Sequence, residues 1–291
     1  MLNIPLNNPP SSSYPITSLN SPLYKQTQKP SKKYTKPTTT KQAPEISVIM
    51  PVYNGETYIN KSITIVNKYL QKLKTRYEII IVDDGSKDKT YQKALKTIQK
   101  LNNPNIKILR YNKNQGKGHA LLHGYKHSKG KIIAFYDADL DIPPQQLILL
   151  IKTAQKTNAD LVITSKWHPK SKTKATLTRK FLSKTFYHME RLLLGIKVSD
   201  TQTGAKAIKR KALNTIAPLL TVKRYAFDAE LITAATAQGY KIIEVPALWP
   251  IKLTSRFKIK EIWKMLIDLM AITYRHRFKK QYQRWALNLN T

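Results

Sequence analysis

The feature that most constrains the fold is a regular alternation of short apolar runs and amphipathic segments between residues 46 and 165. Segments with helical periodicity follow most of these runs, at residues 57–73, 90–101 and 144–157 and after the glycine turn at 116–118. Buried-strand runs that alternate with helices are typical of βα units. We therefore predict an α/β fold, with a mostly parallel sheet between helices and with strands in the sequences EISVIM, YEIIIVDD, NIKILRY, KIIAFYDAD and ADLVITS.

The second half of the chain has a less regular pattern. Residues 176–195 predict a basic amphipathic helix, and residues 200–210 predict a turn and then a short strand. A helix is expected over residues 226–239, a strand interrupted by two prolines over 240–251, and a last helix over 259–278.

The composition is strongly basic. The 291 residues include 51 Lys and Arg but 17 Asp and Glu, which gives a net charge of +34. Such a charge favours anionic partners, namely nucleic acid, an anionic membrane surface or phosphorylated substrates, and says little about the fold. The chain has no cysteine, which excludes disulfides and thiolate metal sites.

Composition also suggests the domain organisation. Residues 1–44 are rich in Ser, Thr, Pro, Asn and Lys and are predicted to be a disordered basic tail, either tethering the protein to an anionic surface or simply solvated. Residues 45–255 form the predicted α/β domain. Residues 256–291 form a predicted basic amphipathic helical segment, which suits either a membrane interface or packing on the domain with its basic side in water. We recognise no signal peptide in residues 1–20 and expect no transmembrane helix, because Lys264 and Asp268 interrupt the most apolar window, 262–274.

Three carboxylates stand at alternate positions in IIAFYDADLDIPP, directly after a predicted strand: Asp137, Asp139 and Asp141. Two carboxylates that meet at a strand end favour Mg²⁺ or Mn²⁺, which prefer oxygen ligands. Capping of the next helix explains Asp141 equally well, but it does not explain Asp137 and Asp139.

Two more motifs follow predicted strands. The carboxylates of Asp83 and Asp84 in VDDGS suit hydrogen bonds from a ribose or a base, although Asp, Gly and Ser are also common turn residues. In NQGKGHA, Gly116 and Gly118 permit close backbone approach at a helix N-terminus that favours an anion, and Lys117 adds charge. The spacing is neither that of a P-loop nor that of a Rossmann fingerprint.

These motifs together resemble a known family. The blocks SVIMPVYNG, EIIIVDDGSKDKT, NKNQGKGHAL and IIAFYDADLDIPP are similar to the nucleotide-sugar half of family 2 glycosyltransferases, which have the GT-A fold. Downstream, SDTQTGAKAIKR, KRYAFDAELI and GYKIIEVPALW resemble the polyprenyl-phosphate sugar transferases of that family, dolichyl-phosphate β-glucosyltransferases first and dolichyl-phosphate mannose synthases next. The resemblance covers about residues 45–278.

The resemblance implies a role for each matching position. The nucleoside pocket would be lined by Pro51, Tyr53, Asp83 and Asp84, with Lys117 near the donor. The metal bridging the donor diphosphate would be held by Asp137 and Asp139, with Asp141 as a further ligand. The lipid phosphate would be bound by Lys166, Arg179 and Ser183. Beside the resemblance, Arg224 is a candidate for meeting a phosphate and Asp228 for ordering the acceptor side, although a polar helix start explains both.

The sequence departs from the family pattern at three places. Gly55 stands where the family usually has Glu after YN, and Glu56 follows one position later. Lys166 replaces the usual Arg, which removes the bidentate fork that arginine offers to a phosphate. Dolichyl-phosphate glucosyltransferases usually carry an N-terminal membrane helix, whereas residues 1–44 are polar here.

The expected activity is a metal-dependent, inverting transfer of a hexose from a nucleotide sugar to a polyprenyl phosphate. Glucose from UDP-glucose is favoured and mannose from GDP-mannose comes next. A phosphate monoester is already a nucleophile at neutral pH, so that no general base is required. We expect a cytoplasmic protein held peripherally on a membrane. The alternatives are a family 2 transferase with a soluble or glycan acceptor and, less favoured, a non-enzymatic nucleic-acid-binding protein.

Overall fold

The computed structural model of the chain describes residues 42–171, 187–224, 226–249 and 259–283, the last with side chains from residue 263. The strands are β1 (Ile46–Val52), β2 (Tyr77–Asp83), β3 (Ile106–Arg110), β4 (Ile132–Tyr136), β5 (Leu161–Ser165), β6 (Ala205–Lys209) and β7 (Ile242–Pro246). The helices are α1 (Ile59–Gln71), α2 (Thr90–Leu101), α3 (Lys117–Lys126), α4 (Pro144–Lys156), α5 (residues 187–194), α6 (Arg210–Ile216), α7 (Phe227–Ala237) and α8 (Ile259–Thr273). A 3₁₀ turn (Ala217–Leu219) follows α6, and a π-helical turn (Tyr274–Phe278) follows α8.

The described strands form one sheet in the order β3-β2-β1-β4-β6-β5-β7. Strand β6 runs antiparallel to both of its neighbours, and the other pairings are parallel. The predicted α/β fold with a mostly parallel sheet between helices is therefore confirmed.

Each central strand supplies side chains to both faces of the sheet. In β2, Ile79 and Ile81 join the core under α1, α2 and α4, whereas Ile80 and Val82 join the core under α3, α6 and α7. Successive strand side chains point to opposite faces, and so a strand buried on both sides needs an unbroken apolar run. This explains why the sequence of β2 does not alternate.

The topology determines where a ligand can bind. Strand β1 lies between β2 and β4, and these three parallel strands end at the same edge of the sheet. The chain winds outward from β1 through β2 to β3 on one side, and β4 lies on the other. In open α/β sheets the crevice at such a switch point, beyond the carboxyl ends of the strands, is the usual ligand site. Both acidic motifs follow strands that end there.

Several sequence predictions lie outside the described residues. They concern the tail up to residue 41, the first part of the basic helix (176–186) with Arg179 and Ser183, and residues 250–258 and 284–291. The division into residues 1–44, 45–255 and 256–291 stays a prediction.

Candidate active site

A cavity of ≈ 490 Å³ opens at the carboxyl ends of β1, β2 and β4. Residues from each of these strand ends contribute to its wall, as does the N-terminus of α3. The structure brings together seven of the predicted site residues in this wall: Pro51, Tyr53, Asp84, Lys117, Asp137, Asp139 and Arg224.

One side of the cavity is formed by two loops that hold each other. The backbone N–H of Asn54 donates to Ser86 Oγ at 2.9 Å, and that of Gly55 donates to Thr90 Oγ1 at 2.8 Å. Glu56 N–H donates to Asp88 Oδ2 at 3.1 Å. The loop after β1 is thereby fixed against the loop after β2.

Steric contacts explain why this chain has glycine at position 55, where the family usually has Glu. A Cβ atom at Gly55 would lie 2.6 Å from Val52 Cγ2 and 2.7 Å from Tyr58 Cζ, closer than real side chains come. The carboxylate of Glu56 accepts the backbone N–H of Lys89 at 3.2 Å. In this chain Glu56 therefore fastens the loop after β2, and the space at position 55 is filled by Val52 and Tyr58.

Asp84 anchors the glycine turn before α3. Its Oδ1 accepts the hydroxyl of Tyr111 and the N–H of Gln115, both at 2.7 Å, and its Oδ2 accepts the N–H of Gly116 at 2.9 Å. Asp83 lies one step further from the cavity and is fully buried, with Oδ1 accepting the N–H of Ser86 at 2.9 Å. Asp84 therefore lines the cavity and fixes the glycine turn, whereas Asp83 fixes the loop after β2 from a buried position.

The centre of the site is a chain of alternating charges. Lys117 Nζ lies 2.7 Å from Asp137 Oδ1 and 3.7 Å from Asp228 Oδ2. Asp228 Oδ1 in turn lies 2.9 Å from the ammonium of Lys206, a side chain that is 1% exposed. The four groups come from the residue after β4 and from α3, α7 and β6, so that the charge chain connects both halves of the sheet.

Gly204 makes room for Asp137. The N–H of Asp137 donates to the carbonyl of Gly204 at 3.1 Å, and a Cβ atom at position 204 would lie 1.8 Å from Asp137 Oδ2. Because Tyr136 pairs with Ala205 in the β4–β6 ladder, Gly204 directly opposes the first acidic residue. Only a glycine at this position leaves the carboxylate where it is.

The local electrostatics favour an added cation. Burial acts to lower the pKa of Lys117, but Asp137 and Asp228 outweigh it and raise that pKa above its ordinary value. Burial raises the pKa of Asp137 although Lys117 opposes the shift, and burial also raises the pKa of Asp139. The ammonium groups of Lys117 and Lys206 thus leave the three carboxylates incompletely neutralised.

Comparison with known proteins identifies the family. The sequence profile of glycosyl transferase family 2 matches residues 47–217. A dolichyl-phosphate beta-glucosyltransferase of Trichomonas vaginalis is 33% identical over 241 residues, which cover 80% of this chain and 74% of that protein. The chain belongs to glycosyl transferase family 2.

Relatives with the same name occur in other organisms. The dolichyl-phosphate beta-glucosyltransferase of Saccharomyces cerevisiae is 33% identical, over 70% of this family 2 chain and 66% of its own. The human dolichyl-phosphate beta-glucosyltransferase is 30% identical, over 70% and 67%.

Solved structures confirm the GT-A-like fold. Glucosyl-3-phosphoglycerate synthase from Mycobacterium tuberculosis in complex with UDP aligns with a TM-score of 0.60, over 79% of each chain. A complex of the same enzyme with Mn²⁺, UDP and glucosyl-3-phosphoglycerate also aligns with a TM-score of 0.60. These sequences are 20% and 19% identical to this family 2 chain, so the likeness concerns the fold alone.

The acidic motif of this family 2 chain fits a hard divalent cation. Asp137 and Asp139 both line the cavity and offer carboxylate oxygens only, which suits Mg²⁺ or Mn²⁺. Asp141 is exposed, and its N–H donates to Asp139 Oδ1 at 3.1 Å. Within the described ranges no three His, Cys, Asp or Glu side chains are grouped as a ready metal site. The donor set therefore fits a metal that completes its shell with substrate oxygens and water.

The predicted acceptor residues are only partly described. Lys166 follows β5, and its ammonium lies 3.7 Å from Asp200 Oδ2, which also accepts the Lys166 N–H at 3.0 Å. Arg179 and Ser183 lie outside the described residues. Arg224 is exposed and lines the cavity beside Lys117.

Sequence reasoning missed Gly204, Lys206 and Tyr58. Tyr58 lines the cavity, and burial, together with Asp139 and Asp137, raises the pKa of its phenol. A lysine inside the apolar strand AKAIK was a usable signal, because a buried lysine requires a partner. Nothing in the sequence pattern indicates that Gly204 contacts a residue in the motif of β4.

Within the described residues, no helix is long and apolar enough to cross a bilayer.

Proposed function

We propose that this protein transfers glucose from UDP-glucose to a dolichyl-type polyprenyl phosphate, with inversion at the anomeric carbon. An acceptor phosphate oxygen forms the new bond to the anomeric carbon, and the bond from that carbon to the donor diphosphate breaks, so that UDP leaves. The observation that carries the proposal is the ion pair of Lys117 and Asp137 in a cavity at the switch point of the sheet, with Asp228 buried next to Lys117. The dolichyl-phosphate beta-glucosyltransferases among the relatives support the choice of donor and acceptor.

In this proposal the protein binds and orients the donor and the acceptor, and the acceptor phosphate itself is the nucleophile. The acceptor phosphate carries roughly −1.5 to −2 charges at neutral pH and needs no base. The ammonium of Lys117, which the neighbouring carboxylates hold in its charged form, faces the cavity together with the guanidinium of Arg224. These two cations are placed to neutralise a diphosphate as it departs.

Asp137 and Asp139 would hold Mg²⁺ or Mn²⁺ in this scheme. The metal, when bound, supplies a Lewis acid that stabilises the negative charge of the leaving UDP. Complexes of the solved fold relative with Mn²⁺ and UDP and with Mg²⁺ and UDP support this choice of cofactor. The proposed nucleoside contacts are Pro51 and Tyr53, which line the same cavity.

The test is a transfer assay with Mn²⁺ or Mg²⁺, labelled UDP-glucose or GDP-mannose, and a short polyprenyl phosphate. Label in the organic phase from UDP-glucose is the expected result, and label from GDP-mannose alone would overturn the donor assignment. An arm with 3-phosphoglycerate as a soluble acceptor tests the acceptor class, and transfer to it alone would overturn the lipid acceptor.

A pair of variants isolates the metal assignment. Asp139→Asn is expected to lower the transfer rate at least a hundredfold, because it removes one of the two carboxylates offered to the metal. Glu45→Gln serves as the matched control, since Glu45 pairs with Arg76 at 2.7 Å away from the cavity. A loss of less than tenfold in Asp139→Asn would contradict the assignment.

A further inference from the structure

Helix α8 and its π-helical turn carry an exposed apolar stripe. Five large apolar side chains, at positions 263, 267, 270, 274 and 278, are each more than half exposed, from 53% at position 274 to 76% at position 278. Their spacing of three or four residues places them on one side of the helix, and the rings of the last two stack 5.9 Å apart. Contiguous exposed apolar surface of this kind marks an interaction site. We call this surface the α8 stripe: Trp263, Ile267, Met270, Tyr274 and Phe278.

The opposite side of α8 is buried in the protein. Met265, Leu269 and Ile272 are at most 9% exposed, and the last two belong to the core under α3 and α7. The helix is therefore already packed through a full apolar face of its own, and the α8 stripe is a second, outward face. An ordinary surface helix of a globular protein has one apolar face.

Basic residues surround the α8 stripe. Residues 259–283 contain six Lys and Arg against two acidic residues, in a chain with a net charge of +34. Lys264, Arg277 and Lys279 are exposed, and Lys279 Nζ lies 5.8 Å from the ring centre of Tyr274. An apolar stripe with basic residues at its sides is complementary to the boundary between anionic headgroups and acyl chains.

A buried carboxylate connects α8 to the active site. Glu230 on α7 accepts the hydroxyl of Tyr282 at 2.6 Å and a guanidinium N–H of Arg275 at 3.1 Å, so it fixes the end of α8. The same carboxylate accepts the N–H groups of Thr221 and Val222 at 2.9 and 2.8 Å. Helix α8 and the loop before α7 are therefore held by one group.

That loop reaches the N-terminus of α3. The carbonyl of Lys223 accepts the N–H of Gly118 at 2.9 Å, next to Lys117 of the charge chain. A second cavity, of ≈ 400 Å³, lies between this loop and α8, lined on the helix side by Asp268, Ala271 and Arg275. Arg224 lines both this cavity and the larger one.

We propose that the α8 stripe docks on an anionic lipid bilayer, with α8 lying along the membrane surface. A second copy of this chain fits the stripe poorly, because two stripes face to face would bring the exposed Lys264, Arg277 and Lys279 of both copies together. Nucleic acid would satisfy the basic residues, but it offers nothing to Ile267 and Met270. A bilayer with anionic headgroups satisfies both parts of the surface.

Docking in this way places the second cavity beside the membrane surface, because its helix side and the α8 stripe belong to neighbouring sides of one helix. Arg224 and Arg275 would then lie near the level of lipid phosphates. This consequence rests on the proposed function, whereas the docking itself does not.

The test measures binding of the full chain to vesicles, with no sugar donor and no polyprenyl acceptor, so that its outcome is independent of the transferase assay. Phosphatidylcholine vesicles with about 30% phosphatidylserine are compared with pure phosphatidylcholine by flotation. We expect binding to the anionic vesicles, and the variant Ile267→Ser/Phe278→Ser is expected to weaken it at least tenfold. The variant Leu95→Ser, which changes an exposed leucine on α2, controls for loss of apolar surface.

The basic residues are tested by charge reversal. Lys264→Glu/Lys279→Glu is expected to weaken vesicle binding at least tenfold. The control variant Lys96→Glu/Lys100→Glu on α2 changes the net charge by the same amount and is expected to weaken vesicle binding less. Equal losses in both pairs would show general attraction of a basic chain and would overturn the proposal.

Tryptophan fluorescence identifies the contact directly. Brominated lipids are expected to quench the tryptophan fluorescence of the protein. Trp263→Phe is expected to remove part of that quenching. The control variant Trp167→Phe, which changes a residue beyond β5, is expected to leave the quenching unchanged. Unchanged vesicle binding in the stripe variant would overturn the docking surface. So would a dimer in solution that the stripe variant converts to a monomer, since it would assign the α8 stripe to a second copy of the chain.

Discussion

Gly204→Ala is the sharpest test of the site geometry. The added Cβ atom would stand 1.8 Å from Asp137 Oδ2, while real Cβ contacts essentially never fall below 3.0 Å. The carboxylate or the β4–β6 ladder must therefore shift by about 1.2 Å, the difference between these two distances. A displacement of about 1 Å at a reacting centre costs on the order of a hundredfold in rate. We expect the transfer of labelled glucose to fall by about that factor.

The control for this variant is Gly195→Ala. An added Cβ atom at Gly195 meets no described atom within 4 Å, but its φ of +67° makes alanine strained there. Gly195→Ala should lose on the order of 1 kcal/mol of stability through its positive φ, and Gly204→Ala about 1–3 kcal/mol through overpacking. Only Gly204→Ala should lower the transfer rate. If Gly204→Ala transfers glucose at the wild-type rate and remains folded by circular dichroism, the position of Asp137 is not what the reaction requires.

Three further predictions concern stability. Burial raises the pKa of Glu190 to about 7, so the folded state favours the neutral acid and loses stability as pH rises from about 4.5 to about 7. Glu190→Gln should therefore stabilise the protein by up to about 3 kcal/mol at pH 8 and by little at pH 4.5. An equal change in melting temperature at the two pH values would contradict this. Lys206→Met leaves Asp228 buried with a poorer partner and should cost about 3–5 kcal/mol in urea denaturation, part of which Lys206→Met/Asp228→Asn should recover. Gly55→Ala should lower the free energy of unfolding by about 1–3 kcal/mol through overpacking. An unchanged stability would show that the Val52 side chain can move aside.

The part of the fold that follows from local pattern was predictable from the sequence. The predicted helix over residues 90–101 coincides with α2, and the predicted helix over 144–157 ends one residue beyond α4. Pro144 at the start of α4 and the apolar period along α2 are signals carried by neighbouring residues, and reading them requires no knowledge of distant contacts.

The part of the site that depends on distant contacts was not predictable. Gly204 opposes Asp137 because β6 inserts antiparallel beside β4, and no periodicity in either strand specifies that pairing. The apolar strand around Lys206 indicates that this lysine is buried with a partner, but no local pattern identifies that partner as Asp228 on α7. Asp84 was predicted at the correct strand end, but its four hydrogen bonds to the turn before α3 depend on where that turn packs.

The charge distribution connects the site with the rest of the molecule. A chain with a net charge of +34 attracts phosphates everywhere on its surface, and so attraction alone cannot select one place for a reaction. At the switch point the sequence instead concentrates Asp137, Asp139 and Asp228, and burial raises the pKa of the first two. In the proposed function these carboxylates would repel a bare diphosphate and would admit one that arrives with a divalent cation. The acidic residues would then provide the selectivity that the basic surface lacks, and Lys117 would offset their repulsion of the donor.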